Sequence, residues 1–578
     1  MSEVVPITNA KRKLTKDEVK GFECKHAVYV EHRGGDAKDA LIIKEMIHLN
    51  DDTMVPSLRI IEDFQRDYYI TKPGLQKHQF KKQFESLEKV TRYSSTQINL
   101  ARNVARSLNK GFIPDLRILS RSPYLYGTDI NSQAIVKRKY QDRYPECHSL
   151  NSVAVADLEA DVVHGHGMIA SGSITYKDKV ALFVTQWFIG TTPDWERQVH
   201  EKFDRYLGEH KKARNINLEV IFCVDEADLV CKLVAKAHEW QPDFLAWWNM
   251  AYDVPKMLEV LDRAGLDPAD IWSDPRVPPQ YRRAEWKPGA TMKVTASGRK
   301  MALSAAERWN TFFIAAGFYC IDAMCLYQKI RIAGGKDPSY ALDAILTKEL
   351  GIRKLKFEEA NHLVGIGWHV FMQKNYKLEY LIYNIFDCIS IELLDEQNMD
   401  MSNKISMLSG SSDYSQFPSQ PRRTCNELHF FALEHKKVIG CTSDKMGDDL
   451  DKYVTSTEGW IVTLPTHMVV DNGINCIKEF PHLKTKIRLH VADIDVAAAY
   501  PNTEDFLNIG AETTYRELSK IEGCSEWERR MIGINLTAGP VNAVEFCRLV
   551  YKMPNFSVMA QAYAQDHNKQ AVSIDRAA

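Results

Sequence analysis

Three carboxylates stand at alternate positions in VAVADLEAD, residues 153–161. The first residues of the stretch are apolar and indicate a buried β-strand, so Asp157, Glu159 and Asp161 are expected on one face of that strand. Like charges that close repel one another and destabilise a sheet unless a cation lies among them. The spacing therefore predicts a site that holds a cation.

Two more stretches of the chain offer carboxylates that could serve the same site. In DFLAWWNMAYDVPKM, Asn249 ends an apolar strand and Asp253 begins a helix, although an acid in that position is also typical of an ordinary N-cap. In YLIYNIFDCISIELLDE, Asp387 has apolar neighbours on nearly every side, so it requires a cationic partner. Tyr383 lies one helical turn earlier on the same face, where its hydroxyl could approach that cation, but a core tyrosine would have the same spacing.

Together the three stretches give D-x-E on a strand, N-x-x-x-D at a strand-to-helix junction and Y-x-x-x-D on a later helix. Carboxylates from separate elements supply the hard oxygen ligands that Mg²⁺ and Mn²⁺ prefer. Two such ions about 4 Å apart form the arrangement that cleaves phosphodiesters. The pattern thus predicts a two-metal site for phosphodiester chemistry.

Alternating strands and helices must position these residues. From Ser152 to about Asp400 the two types of element alternate, which is typical of an α/β domain. The stretch before it, up to about Cys147, mixes strand-like pieces (HAVYVEHRG, RDYYITKPG) with a predicted polar helix over residues 77–108. The cations of that helix fit a solvated amphipathic face better than a nucleic-acid contact. The Pro/Ser/Gly-rich residues 407–423 are predicted to be a linker.

Composition sets limits on the class of protein. With 578 residues the chain has room for about four domains, and its 45% hydrophobic and 26% charged residues are typical of a soluble globular protein. No apolar run is long enough to span a bilayer, and the N-terminus lacks a signal-peptide core, so a cytoplasmic protein is expected. The 12 cysteines include no C-x-x-C pair, which indicates reduced core thiols. A net charge of −2 requires any nucleic-acid surface to be a local basic patch.

Two further segments carry residue types that could bind ligands. The basic run at residues 282–300, RRAEWKPGATMKVTASGRK, has turn-forming Pro288 and Gly289 between strand-like arms. It is either a hairpin that touches the DNA backbone or a solvated surface ribbon, and the DNA-contacting candidates are Arg282, Lys287, Lys293, Arg299 and Lys300. His164 and His166 share a face as a transition-metal pair would, but glycine-flanked histidines are more typical of a turn.

These motifs make the chain resemble the N-terminal part of family B DNA polymerases, in particular the T-even phage branch. Asp157 and Glu159 match the first motif of that family's 3′-to-5′ exonuclease, Asn249 and Asp253 match the second, and Tyr383 and Asp387 match the third. The stretches CVDEADLVCKLVAKAHEWQPDFLAWWN and PSYALDAILTKELGIRKLKF are also similar to that branch. So are RDYYITKPGLQKHQFKK and SPYLYGTDINSQAIVKRKY, which resemble its N-terminal domain.

DVAAAYP, residues 495–501, resembles the palm motif D-x-x-S-L-Y-P of the same family, with two alanines in place of Ser-Leu. The resemblance implies that Asp495 is a polymerase metal ligand and that Tyr500 lies near the sugar of the incoming nucleotide. Neither the fingers motif K-x-x-x-N-S-x-Y-G nor the palm motif D-T-D-S is present. Nucleotidyl transfer needs both, so this chain alone is not expected to polymerise DNA.

The resemblance implies a multidomain fold that combines α/β and α+β parts. Residues 1–147 would form a mixed β/α N-terminal domain, and 148–400 a ribonuclease-H-like exonuclease domain. Residues 401–464 would be a linker and return segment that packs on the N-terminal domain, and 465–578 a partial palm that ends near the start of the fingers.

The function that the resemblance implies is removal of 3′-terminal nucleotides from single-stranded DNA ends. Asp157 would bridge two Mg²⁺ or Mn²⁺ ions, Glu159 and Asp387 would complete one site, and Asp253 would support the other through water. Tyr383 would orient the attacking water or hydroxide.

The expected partners are single-stranded and primer-template DNA, and a second polypeptide with the fingers, the remaining palm and the thumb. A sliding clamp reached through that polypeptide is also expected, no membrane is, and the expected setting is a phage-infected bacterial cytoplasm. A truncated gene is the alternative explanation of the missing motifs. A freestanding exonuclease that acts on DNA or RNA, and a non-catalytic scaffold for primer-template DNA, remain as alternatives.

Overall fold

A computed structural model of the chain describes residues 14–111, 113–294 and 298–450, together with four strands beyond residue 514. The chain divides into two units, Met1–Val454 and Thr455–Ala578. It is a mixed α/β protein with several domains. Within the described residues, no helix combines the length and the apolar character needed to cross a membrane.

The N-terminal part is built mainly of antiparallel strands. Its elements are β1 (Val19–Glu31), β2 (Asp39–Leu49), β3 (Met54–Glu62), β4 (Arg66–Thr71), β5 (Phe84–Ser86), β6 (Val90–Ser95), α1 (Leu100–Ser107), α2 (Leu116–Leu119), β7 (Leu125–Tyr126) and α3 (Ser132–Arg143). β1, β2 and β3 form one sheet, and β6, β4 and β7 form another in that order. HAVYVEHRG and RDYYITKPG lie mostly in β1 and β4, as predicted.

The predicted helix over residues 77–108 is wrong except for its last two turns, which are α1. β5 pairs with Lys437–Ile439, and β6 pairs with β4, so long-range strand pairing overrides the local helical pattern. Lys81, one of the cations of the predicted helix, is buried, and its ammonium donates to the carbonyl of Ser120. That ammonium is therefore engaged inside the fold.

The middle part is an α/β unit around one large sheet. Its elements are β8 (Val153–Ala160), β9 (Ile169–Tyr176), β10 (Lys179–Thr185), α4 (Gln186–Ile189), α5 (Trp195–Arg214), β11 (Asn217–Cys223), α6 (Glu226–Trp240), β12 (Phe244–Trp247), α7 (Met250–Arg263), α8 (Pro268–Trp272), β13 (Ala284–Lys287), β14 (Met292–Val294), β15 (Lys300–Ala302), β16 (Thr311–Ile314), β17 (Tyr319–Asp322), α9 (Ala323–Arg331), α10 (Leu342–Leu350), α11 (Ile366–Asn375) and α12 (Lys377–Asn398). The predicted alternation of strands and helices is confirmed.

The large sheet has six strands in the order β11-β10-β9-β8-β12-β17. β8, β9 and β10 are antiparallel neighbours, whereas β12 runs parallel to both β8 and β17. Alternate residues of β8 point to opposite faces, as a strand requires. Ala154, Ala156 and Leu158 join a core with α6 and α7, and the other face of β8 meets α12. Helices therefore cover both faces of the sheet, and the acids of β8 lie on the α12 side.

The last part of the first unit contains α13 (Ile405–Ser409), α14 (Gln420–Glu434), β18 (Lys437–Ile439) and α15 (Met446–Asp449). The prediction of a linker at residues 407–423 is wrong, because Tyr414 and Phe417 between the two helices are buried in the core. The ring of Tyr414 packs 5.0 Å from Phe244 of β12 and 5.4 Å from Tyr319 of β17, measured between centroids. Its hydroxyl donates to the Lys25 carbonyl of β1 at 3.0 Å. This segment joins the N-terminal sheet to the large sheet.

The described part of the second unit consists of two antiparallel strand pairs. β19 (Tyr515–Lys520) pairs with β22 (Val572–Ala577), and β20 (Gly533–Leu536) pairs with β21 (Gly539–Asn542). Asp495 and Tyr500, the candidate palm residues, lie outside the described residues.

Replacing the buried Tyr414 tests whether residues 407–423 are part of the fold. We expect Tyr414→Ala to lower the free energy of unfolding by about 3–5 kcal/mol, because it leaves an aromatic-sized cavity between two sheets. Tyr414→Phe should cost only about 1–2 kcal/mol, since the ring stays and only the hydroxyl is lost. Urea denaturation measures both values.

Phe431→Ala is the matched control, because this α14 ring is 57% exposed. It should change the free energy of unfolding by less than about 0.5 kcal/mol. An equally small effect of Tyr414→Ala would restore the linker interpretation.

Candidate active site

Three acids form a compact cluster between β8 and α12. Asp157 and Glu159 project from the same face of β8, and Asp387 comes from the middle of α12. One carboxylate oxygen from each can be chosen so that all three lie within 4.8 Å of one another. The sequence prediction that these residues converge is therefore confirmed, and the group can hold a metal ion.

One face of α12 supplies most of the contacts to the acids of β8. Tyr380, Tyr383, Asn384 and Asp387 stand at positions i, i+3, i+4 and i+7, so they lie along that face. The side-chain amide of Asn384 donates to Oδ2 of Asp157 at 2.7 Å, and the Tyr380 hydroxyl donates to Glu159. Both strand acids are thus oriented by hydrogen-bond donors from this helix.

Small polar residues of β9 lie where α12 crosses the sheet. Ser171, Ser173 and Thr175 are buried, and Ser173 Oγ donates to the Asn384 carbonyl at 3.0 Å. Larger side chains at these positions would hold the helix farther from the strands. The short side chains therefore allow Asn384 and Asp387 to reach the acids of β8.

Asn249 and Asp253 approach the cluster from the end of β12. β12 is the parallel neighbour of β8, and α7 begins directly after it, with Asn249 as its N-cap residue. The alternative that Asp253 caps the helix is wrong, since Asp253 lies inside the first turn and is buried. It lies near the backbone N–H of Leu158, which favours its charged form. This contact places Asp253 against the strand that carries Asp157 and Glu159.

The cation that accompanies Asp387 in the fold is Lys354, which the sequence analysis missed. Its ammonium lies 2.5 Å from Oδ2 of Asp387 and 2.8 Å from the Tyr383 hydroxyl. Burial alone would lower the pKa of Lys354, but the nearby carboxylate of Asp387 raises it above its usual value. Lys354 therefore stays charged and offsets one negative charge of the cluster.

In the part of the chain that the structure describes, no second lysine or arginine forms an ion pair with these acids. Burial and the charge of Asp387 raise the pKa of Asp157 to about 7. Burial and the charge of Asp157 also raise the pKa values of Glu159 and Asp253. Each shift means that the site favours fewer negative charges than its residues can carry. Such a site is suited to a bound cation.

Buried oxygen atoms without a hydrogen-bond partner test whether these residues fit a cation. Oδ1 of Asp387, Oδ1 of Asp253 and Oδ1 of Asn249 are buried and accept no hydrogen bond from the described residues. Buried polar atoms of this kind normally have a partner. Carboxylate and amide oxygens are ligands that Mg²⁺ and Mn²⁺ accept. The residues present therefore fit divalent cations of this type.

Asp161, the third acid of the opening pattern, does not join the cluster. Strand β8 ends at Ala160, and the Asp161 carboxylate accepts hydrogen bonds from the backbone N–H groups of Val163, His164 and His166. The ring of His164 also contacts Asp161 at 3.1 Å. The two histidines are thus residues of a loop that Asp161 organises, and no third metal-ligating side chain accompanies them among the described residues.

The basic run at residues 282–300 forms two short ribbons rather than one hairpin turning at Pro288 and Gly289. β13 pairs with β16, and β14 pairs with β15. Gly289 lies where one ribbon leads into the other, and a Cβ there would be 2.7 Å from the Trp309 backbone. The site candidates of this run are divided: Arg282 is held by Asp270 and the Val277 carbonyl, whereas Lys287, Lys293, Arg299 and Lys300 are exposed.

The residues that sequence reasoning missed differ in the signal they gave. Tyr380 and Asn384 share the helical face of Tyr383 and Asp387, so helical periodicity could have identified them. Lys354 lies in an irregular segment and gave no local signal.

Tyr252 was also missed. It precedes Asp253 and is 52% exposed. Partial burial and the nearby carboxylates of Asp253 and Glu159 raise its pKa. Its ring is therefore a solvent-accessible surface beside the acids.

No protein-family model matches this chain, and no curated protein matches it. What is established is a mixed α/β protein with a partly buried carboxylate cluster able to hold a metal ion. Its function must be inferred from the geometry and electrostatics of that cluster.

Removal of the Lys354 ammonium tests whether the cluster depends on positive charge. In EDTA, Lys354→Met should lower the free energy of unfolding by about 3–5 kcal/mol, because Asp387 is left buried and unpaired. A saturating Mg²⁺ concentration should stabilise both proteins, by about 2.7 kcal/mol at a hundred times the dissociation constant. Urea denaturation in EDTA and in MgCl₂ measures these values.

Lys348→Met is the control, because Lys348 also contacts a tyrosine and a carboxylate but is 49% exposed. It should cost less than about 1 kcal/mol in either buffer. Absence of any Mg²⁺ effect on the wild type and on Lys354→Met would contradict a cation site.

Proposed function

We propose that the chain is a metal-dependent 3′-to-5′ DNA exonuclease that forms the N-terminal part of a family B DNA polymerase. The observation that carries the proposal is the convergence of Asp157, Glu159 and Asp387 within 4.8 Å, with Asp253 packed against the same strand. Several carboxylates that share one site are costly to a fold, and divalent cations used in phosphodiester cleavage offset that cost.

The strand order supports a ribonuclease-H-like exonuclease domain. Three antiparallel strands, β8, β9 and β10, are followed on the other side of β8 by parallel β12 and β17. The candidate residues lie on the central strand β8 and just beyond the carboxyl end of β12. Ligands of α/β sheets bind at this edge.

Some side chains of the proposed site would hold metal ions, and others orient the side chains that do so. Asp157, Glu159 and Asp387 would hold one divalent ion, and Asp157 with Asp253 would hold a second. When bound, the ions supply a water of lowered pKa and neutralise charge on the scissile phosphate. Asn384 and Tyr380 fix the orientation of Asp157 and Glu159 through their hydrogen bonds.

Tyr383 and Lys354 would act on the attacking water. The Tyr383 hydroxyl accepts a hydrogen bond from the Lys354 ammonium at 2.8 Å, so it can donate its own proton to the nearby Asp387 carboxylate or to a water. Burial and the charge of Asp387 raise the pKa of Tyr383, which keeps the phenol protonated. A protonated phenol in this position orients a water or hydroxide without removing its proton.

A single-stranded 3′ end is the substrate that the surroundings of the acids favour. The half-exposed ring of Tyr252 beside the acids provides a stacking surface for an unpaired base. Asn249 offers an unpaired amide oxygen at the same edge. Lys287, Lys293 and Lys300 are exposed on the two ribbons, where they could contact the DNA backbone together with Arg299.

Polymerisation is the second part of the proposal, and it rests on sequence resemblance at Asp495 and Tyr500. The sequence carries these residues without the D-T-D-S motif or the fingers motif. We therefore propose that primer extension requires those motifs in addition to the residues of this sequence.

The main experiment measures shortening of 5′-labelled single-stranded DNA in Mg²⁺. The wild type should release 3′-terminal nucleotides one at a time, and Asp387→Asn should reduce the rate by about 100-fold or more. Asp395→Asn is the matched control on the same helix, because that aspartate is equally buried but holds the backbone N–H of Met401. An inactive wild type would leave the scaffold alternative, and equal cleavage of RNA would favour the freestanding exonuclease.

Comparison of Tyr383→Phe with Asp387→Asn separates the water-orienting role from the ligand role. Tyr383→Phe should keep the Mn²⁺ affinity of the wild type and lower the rate by about 10- to 100-fold, because only a hydroxyl is lost. Asp387→Asn should weaken Mn²⁺ binding itself. Isothermal titration calorimetry measures the affinities, and an equal loss in both variants would contradict the role given to Tyr383.

A further inference from the structure

Asp322 is a buried carboxylate at the end of β17 that the proposed chemistry does not use. It is 3% exposed, and it lies beside Trp247, its register partner at the end of β12. Oδ1 accepts a hydrogen bond from the backbone N–H of Cys325 at 2.9 Å, so Asp322 is the N-cap of α9. Oδ2 accepts from the side-chain amide of Asn310 at 3.1 Å.

The same carboxylate also reaches the helix that carries two candidate site residues. The backbone N–H of Met250, the first residue of α7, lies close enough to favour the charged form of Asp322. The backbone N–H of Met324, in the first turn of α9, donates to the Trp248 carbonyl at 3.2 Å. Asn249 directly precedes Met250, and Asp253 follows within the first turn. Asp322 therefore holds the beginnings of α9 and α7 together.

Asn310 is the second member of this arrangement. Its amide nitrogen donates to Asp322, and its Oδ1 accepts from the backbone N–H of Gly289 at 3.0 Å. Gly289 is the residue that leads from one ribbon of the basic run into the other. Hydrogen bonds thus run from the basic ribbons through Asn310 and Asp322 to the start of α9, and α9 in turn contacts the Trp248 carbonyl just before α7.

The choice of a carboxylate at this position needs an explanation beyond helix capping. Asparagine or serine caps a helix as well as aspartate and buries no charge. Burial raises the pKa of Asp322 to about 6, although its N–H donors favour the charged form. A carboxylate has two acceptor oxygens and no donor, so it can accept from Cys325 and Asn310 at once without turning a donor toward the nearby N–H of Met250. Among the described residues, the acids that can share one ion do not include Asp322.

We propose that Asp322, held by Asn310, is a positioning residue that fixes the first turn of α7 so that Asn249 and Asp253 face Asp157. The inference rests on the proposed exonuclease function for its kinetic consequence. Its structural consequence, a firmly held start of α7, can be measured without any activity.

The first test compares Asp322→Asn with Asp243→Asn. Asp243 is equally buried and lies just before β12, at the opposite end of that strand, where it accepts hydrogen bonds from Ser152. Asp322→Asn should lower kcat on single-stranded DNA by about 10- to 100-fold with KM nearly unchanged. It should also speed amide deuterium exchange in peptides that cover residues 249–257. Asp243→Asn should leave kcat and this exchange unchanged in the folded protein.

The second test exchanges the two partners. In the double variant Asp322→Asn with Asn310→Asp, the amide at position 322 donates to the new carboxylate at 310, which still accepts from Gly289. This double variant should recover kcat to within about 3-fold of the wild type and restore slow exchange. Asn310→Asp alone should be impaired, because two carboxylates then face each other.

Several outcomes would overturn the inference. Unchanged exchange in Asp322→Asn would show that Asp322 does not hold α7, and faster exchange with unchanged kcat would remove its role in the reaction. A double variant as impaired as Asp322→Asn would assign the effect to charge rather than to hydrogen-bonded positioning. An inactive wild type would count against the exonuclease proposal alone, since deuterium exchange still decides whether Asp322 positions α7.

Discussion

Mutual repulsion among buried carboxylates is the constraint around which the middle of this protein is organised. Asp157, Glu159 and Asp387 each place a carboxylate oxygen within 4.8 Å of the others, and among the described residues Lys354 is the one lysine or arginine in direct contact with them. Hydrogen-bond donors reduce the remaining cost: Asn384 serves Asp157, and Tyr380 serves Glu159. The pKa values of Asp157 and Glu159 are still raised, so these partners do not fully offset the cost of ionising both acids.

The packing around the cluster follows from that constraint. The acids can converge only if α12 lies close to the sheet, and the serines and threonine of β9 permit this approach. On the other side, the parallel pairing of β12 with β8 brings the end of β12 and the start of α7 to the same edge. The positions of the acids therefore depend on residues of β9 and β12 that are not themselves candidate ligands. Sites built on a rigid scaffold generally have this property.

The connection between the N-terminal sheet and the large sheet follows similar logic. A segment rich in serine, glycine and proline would ordinarily remain outside a core. Here Tyr414 supplies a ring that packs between strands of the large sheet and a hydroxyl that reaches β1. A few aromatic residues are enough to bring a polar segment into the fold, because each buries a large apolar area.

Sequence patterns were enough to predict the alternation of strands and helices in the middle part. They also identified four acids as candidate site residues: Asp157, Glu159, Asp253 and Asp387. Hydrophobic periodicity and the burial cost of a carboxylate are local properties, so a single sequence displays them. Only the three-dimensional structure shows that Lys354 meets Asp387, that residues 84–86 and 90–95 form strands, and that residues 407–423 enter the core. Each of these depends on a partner distant along the chain, and local sequence patterns carry no information about which distant residue that partner is.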